Sequence, residues 1–299
     1  MSATLLLGKP AADALLASLK DDIQKLDPKL VVVQVGEDPA SSSYIKKKME
    51  SCAAVGMRSE HIHLPETTTL EELMAVIGNP NAPFQGAHAA QRTALNQDPD
   101  VTGFIVQLPL PKHLESHVPD VIRAIDPKKD VDGFGAYNLG KMFLSAEFEH
   151  LPPATPAGVI ELLKFYKIDV AGKNAVVLGR SNIVGKPLAI MLVNRGATVS
   201  VCHSKTKEIA SFTKNADLIF SAVGKPKLLT KDMVKKGAIV IDIGMSRVDG
   251  KLVGDVDFDA VQEVASAITP VPGGVGPMTV ASLIRNCVTA KKRQLEAKV

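Results

Sequence analysis

The sequence predicts an α/β protein with two α/β domains. Short runs rich in valine and isoleucine alternate with amphipathic helical patterns along the 299 residues. The apolar runs lack polar alternation, which is expected of parallel strands buried on both faces. The composition, 45% hydrophobic and 22% charged, is that of a globular chain long enough for two ordinary domains.

Each element has its own signal. The N-terminal residues indicate a first strand followed by a helix over 11–26, with leucines on one face. Further helices are predicted at 43–55 and 185–194, the latter with Pro187 in its first turn. The predicted strands are 30–35, 103–108, 175–178, 198–201, 218–223 and 239–243.

Two proline- or glycine-rich segments interrupt this alternation. Residues 147–156 contain three prolines within five positions, so we predict a domain boundary there, dividing 1–150 from 151–276. A C-terminal helix over 277–299 is expected to pack back on the first domain. Residues 78–92 are rich in Gly, Pro and Asn and predict an inserted surface loop.

Charge and cysteine usage exclude several classes of protein. The net charge is +3, and no long block of like charge indicates a nucleic-acid or membrane partner. Three cysteines lie far apart without metal-ligand spacing, so neither a metal site nor a disulfide framework is expected. The first residues lack the basic region of a targeting signal, and we expect a cytoplasmic protein.

The segment AVVLGRSNIVGKP, residues 175–187, indicates a strand, a phosphate-binding turn and a helix. Gly179 permits the sharp turn, Ser181 offers a hydroxyl, and Arg180 offers a guanidinium to a phosphate. Ser181 replaces the middle glycine of the usual dinucleotide motif, and Gly185 arrives one residue late. An ordinary turn with a capping serine remains the alternative.

The end of the next strand indicates which dinucleotide would bind. NAD enzymes commonly place a carboxylate there for the ribose 2′-hydroxyl. Here the strand ends in His203-Ser204-Lys205-Thr206, with hydroxyls, an ammonium and an imidazole that would attract a 2′-phosphate. The sequence therefore favours NADP over NAD. The alternative is that these four residues form a solvated loop.

The first half contains a second group of candidate residues. Tyr44 and Lys48 are four apart and share a helix face, where a ring and an amine could serve a flat ligand, although such pairs are usually surface features. We expect neighbouring lysines to lower the pKa of Lys48. Gln107 ends a buried strand, and Asp132 lies in a turn. Residues 270–279 form a glycine–proline loop that permits close approach to a ligand or connects the domains.

Together these motifs resemble one family. They are S-x-x-Y-x-x-x-K, V-Q-L-P-L-P, K-D-V-D-G, T-P-x-G, G-R-S-x-I-V-G, C-H-S-K-T and P-V-P-G-G-V-G-P-M-T, in this order over nearly the whole chain. The chain is similar to the bifunctional methylenetetrahydrofolate dehydrogenase/cyclohydrolases. Ala154 stands where the family often has a cysteine, outside the expected chemistry.

The resemblance implies a role for each matching residue. Lys48 would be central to the cyclohydrolase step, Gln107 would tune it, Tyr44 would stack on the folate, and Asp132 would hold the pterin. Ser41, Leu108, Pro272, Gly273 and Gly276 would line the folate site. The implied cofactor-binding residues are Gly179, Arg180, Ser181, Ile183, Gly185, His203, Ser204, Thr206, Met245 and Thr279.

The same resemblance implies a Rossmann-like NADP-binding domain over 151–276, a catalytic, folate-binding domain over 1–150 and a folate cleft between them. The expected reactions are oxidation of methylenetetrahydrofolate with NADP+ and hydrolysis to 10-formyltetrahydrofolate, in one-carbon metabolism. The expected partners are folates, with or without a polyglutamate tail, and a second copy of the chain. The alternatives are a monofunctional dehydrogenase, an NADP-dependent dehydrogenase of a shikimate-like acid and a silent nucleotide- or folate-binding protein.

Overall fold

The computed structural model describes residues 3–78 and 94–297. They form two compact units, each with a parallel sheet and helices, which confirms the α/β class. The predicted bounds of the domains, 1–150 and 151–276, stay a prediction. The six-stranded unit comprises Met1–Leu15, Lys141–Glu149 and Pro153–Ser282, and the three-stranded unit comprises Leu16–Gly140, His150–Pro152 and Leu283–Val299.

The elements of the described residues follow the alternation seen in the sequence. The strands are β1 (Thr4–Leu5), β2 (Lys29–Val35), β3 (Arg58–Leu64), β4 (Gly103–Val106), β5 (Asn174–Leu178), β6 (Thr198–Cys202), β7 (Leu218–Ser221), β8 (Ile239–Asp242), β9 (Ser246–Val248), β10 (Lys251–Val253) and β11 (Ala267–Ile268). The helices are α1 (Gly8–Leu26), α2 (Pro39–Ala54), α3 (Leu70–Ile77), α4 (Val118–Ala124), α5 (Ala136–Leu144), α6 (Ala154–Phe165), α7 (Gly185–Val193), α8 (Ile209–Thr213), α9 (Phe258–Val261) and α10 (Val275–Glu296).

The sheet of the three-stranded unit has the order β3-β2-β4, with all pairs parallel. Strand β2 is central in this sheet. Residues 30–35 of β2 are all buried, so both of its faces are covered, and this run is apolar apart from Gln34. The chain moves from β2 to β3 on one side and returns to β4 on the other. Ligands of open α/β sheets bind at the carboxyl ends of strands where the order reverses in this way.

The sheet of the six-stranded unit has the order β1-β11-β8-β7-β5-β6, again with parallel pairs. The chain passes from β5 to β6 and then to β7 on the opposite side of β5, so a second reversal point lies between β5 and β7. The N-terminal strand β1 pairs with β11, and its hydrogen bonds complete one side of this sheet.

Three local differences from the sequence predictions have simple causes. Helix α2 begins four residues earlier than predicted, because Asp38 caps it: the Asp38 carboxylate accepts a hydrogen bond from Ser41 N. Within the predicted loop 270–279, residues from Val275 onward belong to α10, with Pro277 in its first turn. Of the predicted loop 78–92, Gly78 ends α3 in a left-handed conformation, and residues 79–92 lie outside the described residues.

Candidate functional site

Helix α2 presents a buried row of polar side chains. Ser41, Tyr44 and Lys48 are spaced by three and four residues and so lie on one side of the helix. Ser41 and Lys48 are only 4% and 7% exposed, and Tyr44 is half-buried, whereas Lys46 and Lys47 are exposed. The alternative of a solvated Tyr44–Lys48 pair is therefore wrong for Lys48.

Gln107 holds the amine of Lys48. It follows β4, where its backbone N–H donates to Val33 O at 2.8 Å. Its side-chain Nε2 donates to Leu108 O at 2.7 Å, which turns Oε1 toward Lys48. Lys48 Nζ then donates to Gln107 Oε1 at 2.9 Å. The end of β4 and the helix after β2 thus meet where the strand order of this unit reverses.

The charges of Lys48 and Asp132 shift each other's proton affinity. Burial lowers the pKa of Lys48, and attraction to Asp132 opposes that shift only in part. Burial raises the pKa of Asp132 to about 6, against the opposing charge of Lys48 and with added repulsion from Asp130. The expected cause, the neighbouring lysines, is wrong: loss of hydration lowers the pKa of Lys48. The two shifts bring the pKa values of an acid and a base closer together, as at many catalytic sites.

In the six-stranded unit, two glycines shape the turn after β5. Gly179 has φ +115°, and a Cβ atom there would lie 2.4 Å from Ala222 O, in the loop after β7. A Cβ atom on Gly185 would lie 2.2 Å from Gly179 O. Side chains at either position would fill the reversal point between β5 and β7, where a dinucleotide is expected.

Ser181 forms the cap that the alternative reading of this turn requires. Its Oγ accepts hydrogen bonds from Val184 N at 3.1 Å and Gly185 N at 3.2 Å. Because those two N–H groups are occupied, a phosphate would depend more on side chains than on the bare helix end. The side chains of Arg180 and Ser181 are exposed, and Ile183 is half-buried.

Residues 203–206, which follow β6, form a hydrogen-bonded turn. The alternative of an irregular solvated loop therefore describes only the exposed side chains of this segment. His203 N donates to Thr206 Oγ1 at 2.9 Å, and Thr206 N donates to His203 O at 2.8 Å. Lys205 N donates to His203 Nδ1 at 3.2 Å, which adds a third hydrogen bond to this turn. Ser204 and Lys205 are exposed, so the hydroxyl and the ammonium face solvent.

The loop before α10 is anchored on the start of α1. Gly8 N donates to Gly273 O at 2.8 Å, and a Cβ atom on Gly8 would lie 1.7 Å from Gly274 O. Pro272 and Gly273 are exposed, and Gly276 is half-buried. Thr279 Oγ1 lies 3.1 Å from Thr155 Oγ1, which fixes the N-terminal part of α10 against α6.

The candidate residues therefore fall into two groups. Ser41, Tyr44, Lys48, Gln107, Leu108 and Asp132 belong to the three-stranded unit. The six-stranded unit contains Gly179, Arg180, Ser181, Ile183, Gly185, His203, Ser204, Thr206, Met245, Pro272, Gly273, Gly276 and Thr279. Within residues 3–78 and 94–297, no three His, Cys, Asp or Glu side chains gather as metal ligands, and no helix is long and apolar enough to cross a bilayer.

Sequence reasoning missed buried polar residues whose side chains hydrogen-bond to the backbone of loops in the two units. Asn286 of α10 and the pair Asp242 and Asp255 are fully or almost fully buried and hydrogen-bonded to loop backbone. Asp255 accepts from Val223 N at 2.7 Å and Lys225 N at 2.8 Å, in the loop after β7. A polar residue within an otherwise apolar helix face was the available signal for Asn286.

Family models match both halves of the chain. The catalytic domain of tetrahydrofolate dehydrogenase/cyclohydrolase matches residues 6–132, and the NAD(P)-binding domain of that enzyme matches residues 153–295. The chain belongs to this family. The resemblance carried by the motifs is confirmed, and the Rossmann-like turn after β5 lies within the match to the NAD(P)-binding domain.

Individual members of the tetrahydrofolate dehydrogenase/cyclohydrolase family match over almost their full lengths. The bifunctional protein FolD of Campylobacter concisus is 51% identical over 278 residues, 92% of each chain. The crystal structure of the bifunctional FolD enzyme from Campylobacter jejuni superposes with a TM-score of 0.88 at 45% identity and covers 98% of this chain and 100% of that one. The Trypanosoma brucei enzyme, solved with NADP and an inhibitor, gives a TM-score of 0.88 at 35% identity over 99% of each chain.

Proposed function

We propose that this chain oxidises 5,10-methylenetetrahydrofolate to the 5,10-methenyl cation with NADP+ and hydrolyses that cation to 10-formyltetrahydrofolate. The observation that carries the proposal is the buried Lys48 amine, held by Gln107 and attracted by Asp132. Hydride removal needs no base, so a monofunctional dehydrogenase has no need for such an amine. Membership of the family supports both activities.

The residues of the three-stranded unit would bind the folate. Tyr44 offers a half-buried ring for stacking on the substrate rings. Asp132 offers a carboxylate to the N–H groups of the pterin. Ser41, on the same side of α2 as Tyr44, and Leu108, next to Gln107, would complete the folate site. Pro272, Gly273 and Gly276 remain proposed folate-binding residues because their loop resembles the family motif.

The residues around Gly179 fit a dinucleotide, because side chains at Gly179 or Gly185 would fill the turn. Arg180, Ser181 and Ser204 would hold its phosphates, with the 203–206 turn and its Thr206 hydrogen bond placing Ser204. Ile183, Met245 and Thr279 would contact the remainder. When bound, NADP+ accepts the hydride of the first step, and the chain contributes orientation.

The hydrolysis step assigns proton transfers to Lys48. Its neutral amine accepts a proton from the water that attacks the methenyl carbon. The resulting ammonium donates a proton to N5 as the carbon–N5 bond breaks, and the added hydroxyl loses its proton to form the formyl group on N10. One proton in total is released to solvent. The Gln107 carbonyl accepts a hydrogen bond from either form of the lysine, so the amine keeps its direction throughout.

Two further partners belong to the proposal. A polyglutamate tail on the folate would be attracted by the exposed Lys46 and Lys47, since Lys46 has only a 4.0 Å contact with Glu50. A second copy of the chain would cover exposed apolar side chains of the six-stranded unit. Phe143, Leu144 and Val193 are 67%, 70% and 51% exposed.

The segments that carry these apolar side chains are tied together. Asn194 Nδ2 donates to Met142 O at 2.8 Å, and Arg195 makes a 2.7 Å ion pair with Glu149. Strand β6 is also an edge strand of this sheet. Exposed apolar side chains beside an unpaired edge are typical of a homodimer surface.

The three free, buried cysteines favour the cytoplasm as the site of this activity.

The decisive experiment follows the cofactor and the methenyl product together on purified protein, with NADP+ and NAD+ in parallel. We expect reduced cofactor with NADP+ and little accumulated methenyl. Accumulated methenyl would contradict the cyclohydrolase role of Lys48, and a preference for NAD+ would contradict the assignment of Arg180 and Ser204.

A further inference from the structure

Two aspartates that are two residues apart have opposite surroundings. The Asp130 carboxylate is 1% exposed and accepts hydrogen bonds from Gly133 N at 3.0 Å, Phe134 N at 3.3 Å, Gly135 N at 2.8 Å and Asn138 Nδ2 at 2.9 Å. Among the described residues, no donor forms a hydrogen bond with the Asp132 carboxylate, which is half-buried. The oxygens of Asp132 therefore remain available to a ligand, whereas those of Asp130 are occupied.

The bonds of Asp130 fix the chain directly after Asp132. Gly133 has φ +73°, and the turn over 133–135 wraps around the Asp130 carboxylate. A Cβ atom on Gly135 would lie 2.8 Å from Asp130 Oδ2, so the turn approaches more closely than a side chain would allow. The preceding residue is anchored to the sheet, because Phe104 N donates to Lys129 O at 3.0 Å.

Asn286 fixes the chain directly before Asp132. It lies on α10, is completely buried, and donates through Nδ2 to Val131 O at 2.9 Å and to Pro152 O at 2.8 Å. Its Oδ1 is buried without a hydrogen-bond partner in the described chain. An unpaired buried acceptor costs stability. The favourable contribution of Asn286 therefore comes from the two hydrogen bonds that it donates, to Val131 O and Pro152 O.

We propose that Asp130 and Asn286 are positioning residues for Asp132, which hold its main chain from both sides so that its carboxylate meets the pterin without rearrangement. The inference rests on the proposed folate-binding role of Asp132. A binding carboxylate loses much of its value if it is misplaced by a fraction of an ångström, and buried hydrogen bonds to the flanking peptides prevent that displacement.

The test compares Asp130→Asn and Asn286→Leu with the benchmark Asp132→Asn in the full-length protein. Each variant is titrated by calorimetry with tetrahydrofolate and, separately, with NADP+. We expect both positioning variants to weaken tetrahydrofolate binding by about 10-fold or more, toward the value of Asp132→Asn, with little change in the Kd of NADP+. KM for methylenetetrahydrofolate should rise more than kcat falls.

The matched control is Asp255→Asn, which removes a buried, backbone-bonded carboxylate from the other unit. It should weaken NADP+ and spare tetrahydrofolate. The double variant Asp130→Asn/Asp132→Asn should bind tetrahydrofolate about as well as Asp132→Asn alone, because a positioning effect disappears with the positioned group.

The possible results separate the inference from the function on which it rests. If Asp132→Asn binds tetrahydrofolate normally, the proposed role of Asp132 fails. If Asp132→Asn is impaired but both positioning variants bind normally, or if they lose NADP+ to the same extent, the positioning inference is overturned. Should Asp130→Asn not fold, Asn138→Ala removes one donor to Asp130, and an unchanged tetrahydrofolate Kd in that variant would also contradict the inference.

Discussion

The Nζ atom of Lys48 donates to Oε1 of Gln107 at 2.9 Å, although the two residues are 59 positions apart in sequence. Gln107 is itself fixed by its hydrogen bond to Leu108 O, so its amide cannot turn without losing that bond. A buried lysine is consequently held by a neutral acceptor. It has a hydrogen bond in either protonation state, and burial keeps its pKa low.

Lys48→Met should separate the two proposed activities. We expect the cyclohydrolase rate to fall by about 100-fold or more, since a general acid–base group contributes that much. The dehydrogenase rate with NADP+ should be largely retained, because positioning of the folate does not require the amine. A stopped assay that quantifies methenyl and formyl products checks this. The matched control is Lys20→Met on the exposed side of α1, and equal loss of both activities in Lys48→Met would contradict the assignment.

Binding of the folate should weaken in acid because of Asp132. Burial raises its pKa from the ordinary 3.8 to about 6, so the folded protein holds this proton between roughly pH 4 and 6. The contribution of Asp132 to stability is therefore favourable in acid and falls as pH rises through that window. The affinity of Asp132 for the N–H donors of the pterin has the opposite dependence and falls in acid. Only the ionised carboxylate can accept a hydrogen bond from an N–H group on each of its two oxygens.

The measurement is the Kd of tetrahydrofolate as a function of pH. Below about pH 6 we expect it to rise toward 10-fold per unit, which is the limit for one proton. In Asp132→Asn the same curve should be higher at neutral pH and nearly flat in acid. An Asp132→Asn curve with the full acid limb would assign the titration to another group.

Cofactor choice should depend on Arg180 and Ser204. Arg180→Ala and Ser204→Ala are each expected to raise the Kd of NADP+ by about 10-fold, because each removes a partner of a phosphate. Ser204→Asp should reverse the preference, since a carboxylate repels a 2′-phosphate and accepts from a 2′-hydroxyl. Fluorescence titration with NADP+ and NAD+ gives both constants. Equal weakening of the two dinucleotides by Ser204→Ala would place the 2′-phosphate elsewhere.

Gly185→Ala should impair the dinucleotide turn through shape alone. The added Cβ atom would lie 2.2 Å from Gly179 O, and its three nearest atoms are all backbone atoms of Gly179 and Arg180, which leaves little room for adjustment. We expect a lower Tm and a Kd for NADP+ raised by about 10-fold or more. Gly140→Ala is the matched control, because a Cβ atom there meets nothing within 4 Å and alanine favours helix α5. Normal NADP+ binding by Gly185→Ala would show that the turn does not contact the cofactor.

The proposed homodimer can be tested at Leu144. A charge placed at this 70% exposed position costs a monomer little but must be buried in the proposed interface. Leu144→Asp should therefore sediment as a monomer, with an unchanged Tm at low protein concentration. Leu295→Asp, at an exposed leucine of α10, should leave the oligomeric state unaltered. A Leu144→Asp protein that stays dimeric would exclude this surface.

Local sequence signals were sufficient to locate β2, β4 to β8, α1, α2 and α7, and for much of the turn chemistry. Residues 30–33 of β2, 175–178 of β5 and 239–241 of β8 are all apolar because both faces of each strand are covered, and that pattern is visible in the sequence alone. The hydrogen bond from Lys48 to Gln107 was implied by family motifs rather than by spacing. The burial of Lys48 could not be read from its neighbours, because Lys46 and Lys47 on the same helix are exposed.

Long-range polar contacts were beyond local reasoning. The contact between Asn286 and Val131 joins residues 155 positions apart, and no local periodicity encodes such a pairing. The capping of α2 by Asp38 was missed for a different reason. Several polar residues near the start of α2 are acceptable caps, and only the actual start at Pro39 selects among them.

The pairing of β1 with β11 has a consequence for dividing this chain. If the chain were cut near residue 150, the C-terminal fragment would retain β11 but lose β1. The unpaired backbone groups of β11 would then be free to pair with strands of other chains. We expect such a fragment to aggregate, and added N-terminal peptide to suppress that aggregation. A single cut in the chain therefore does not yield two intact units that could be exchanged between proteins.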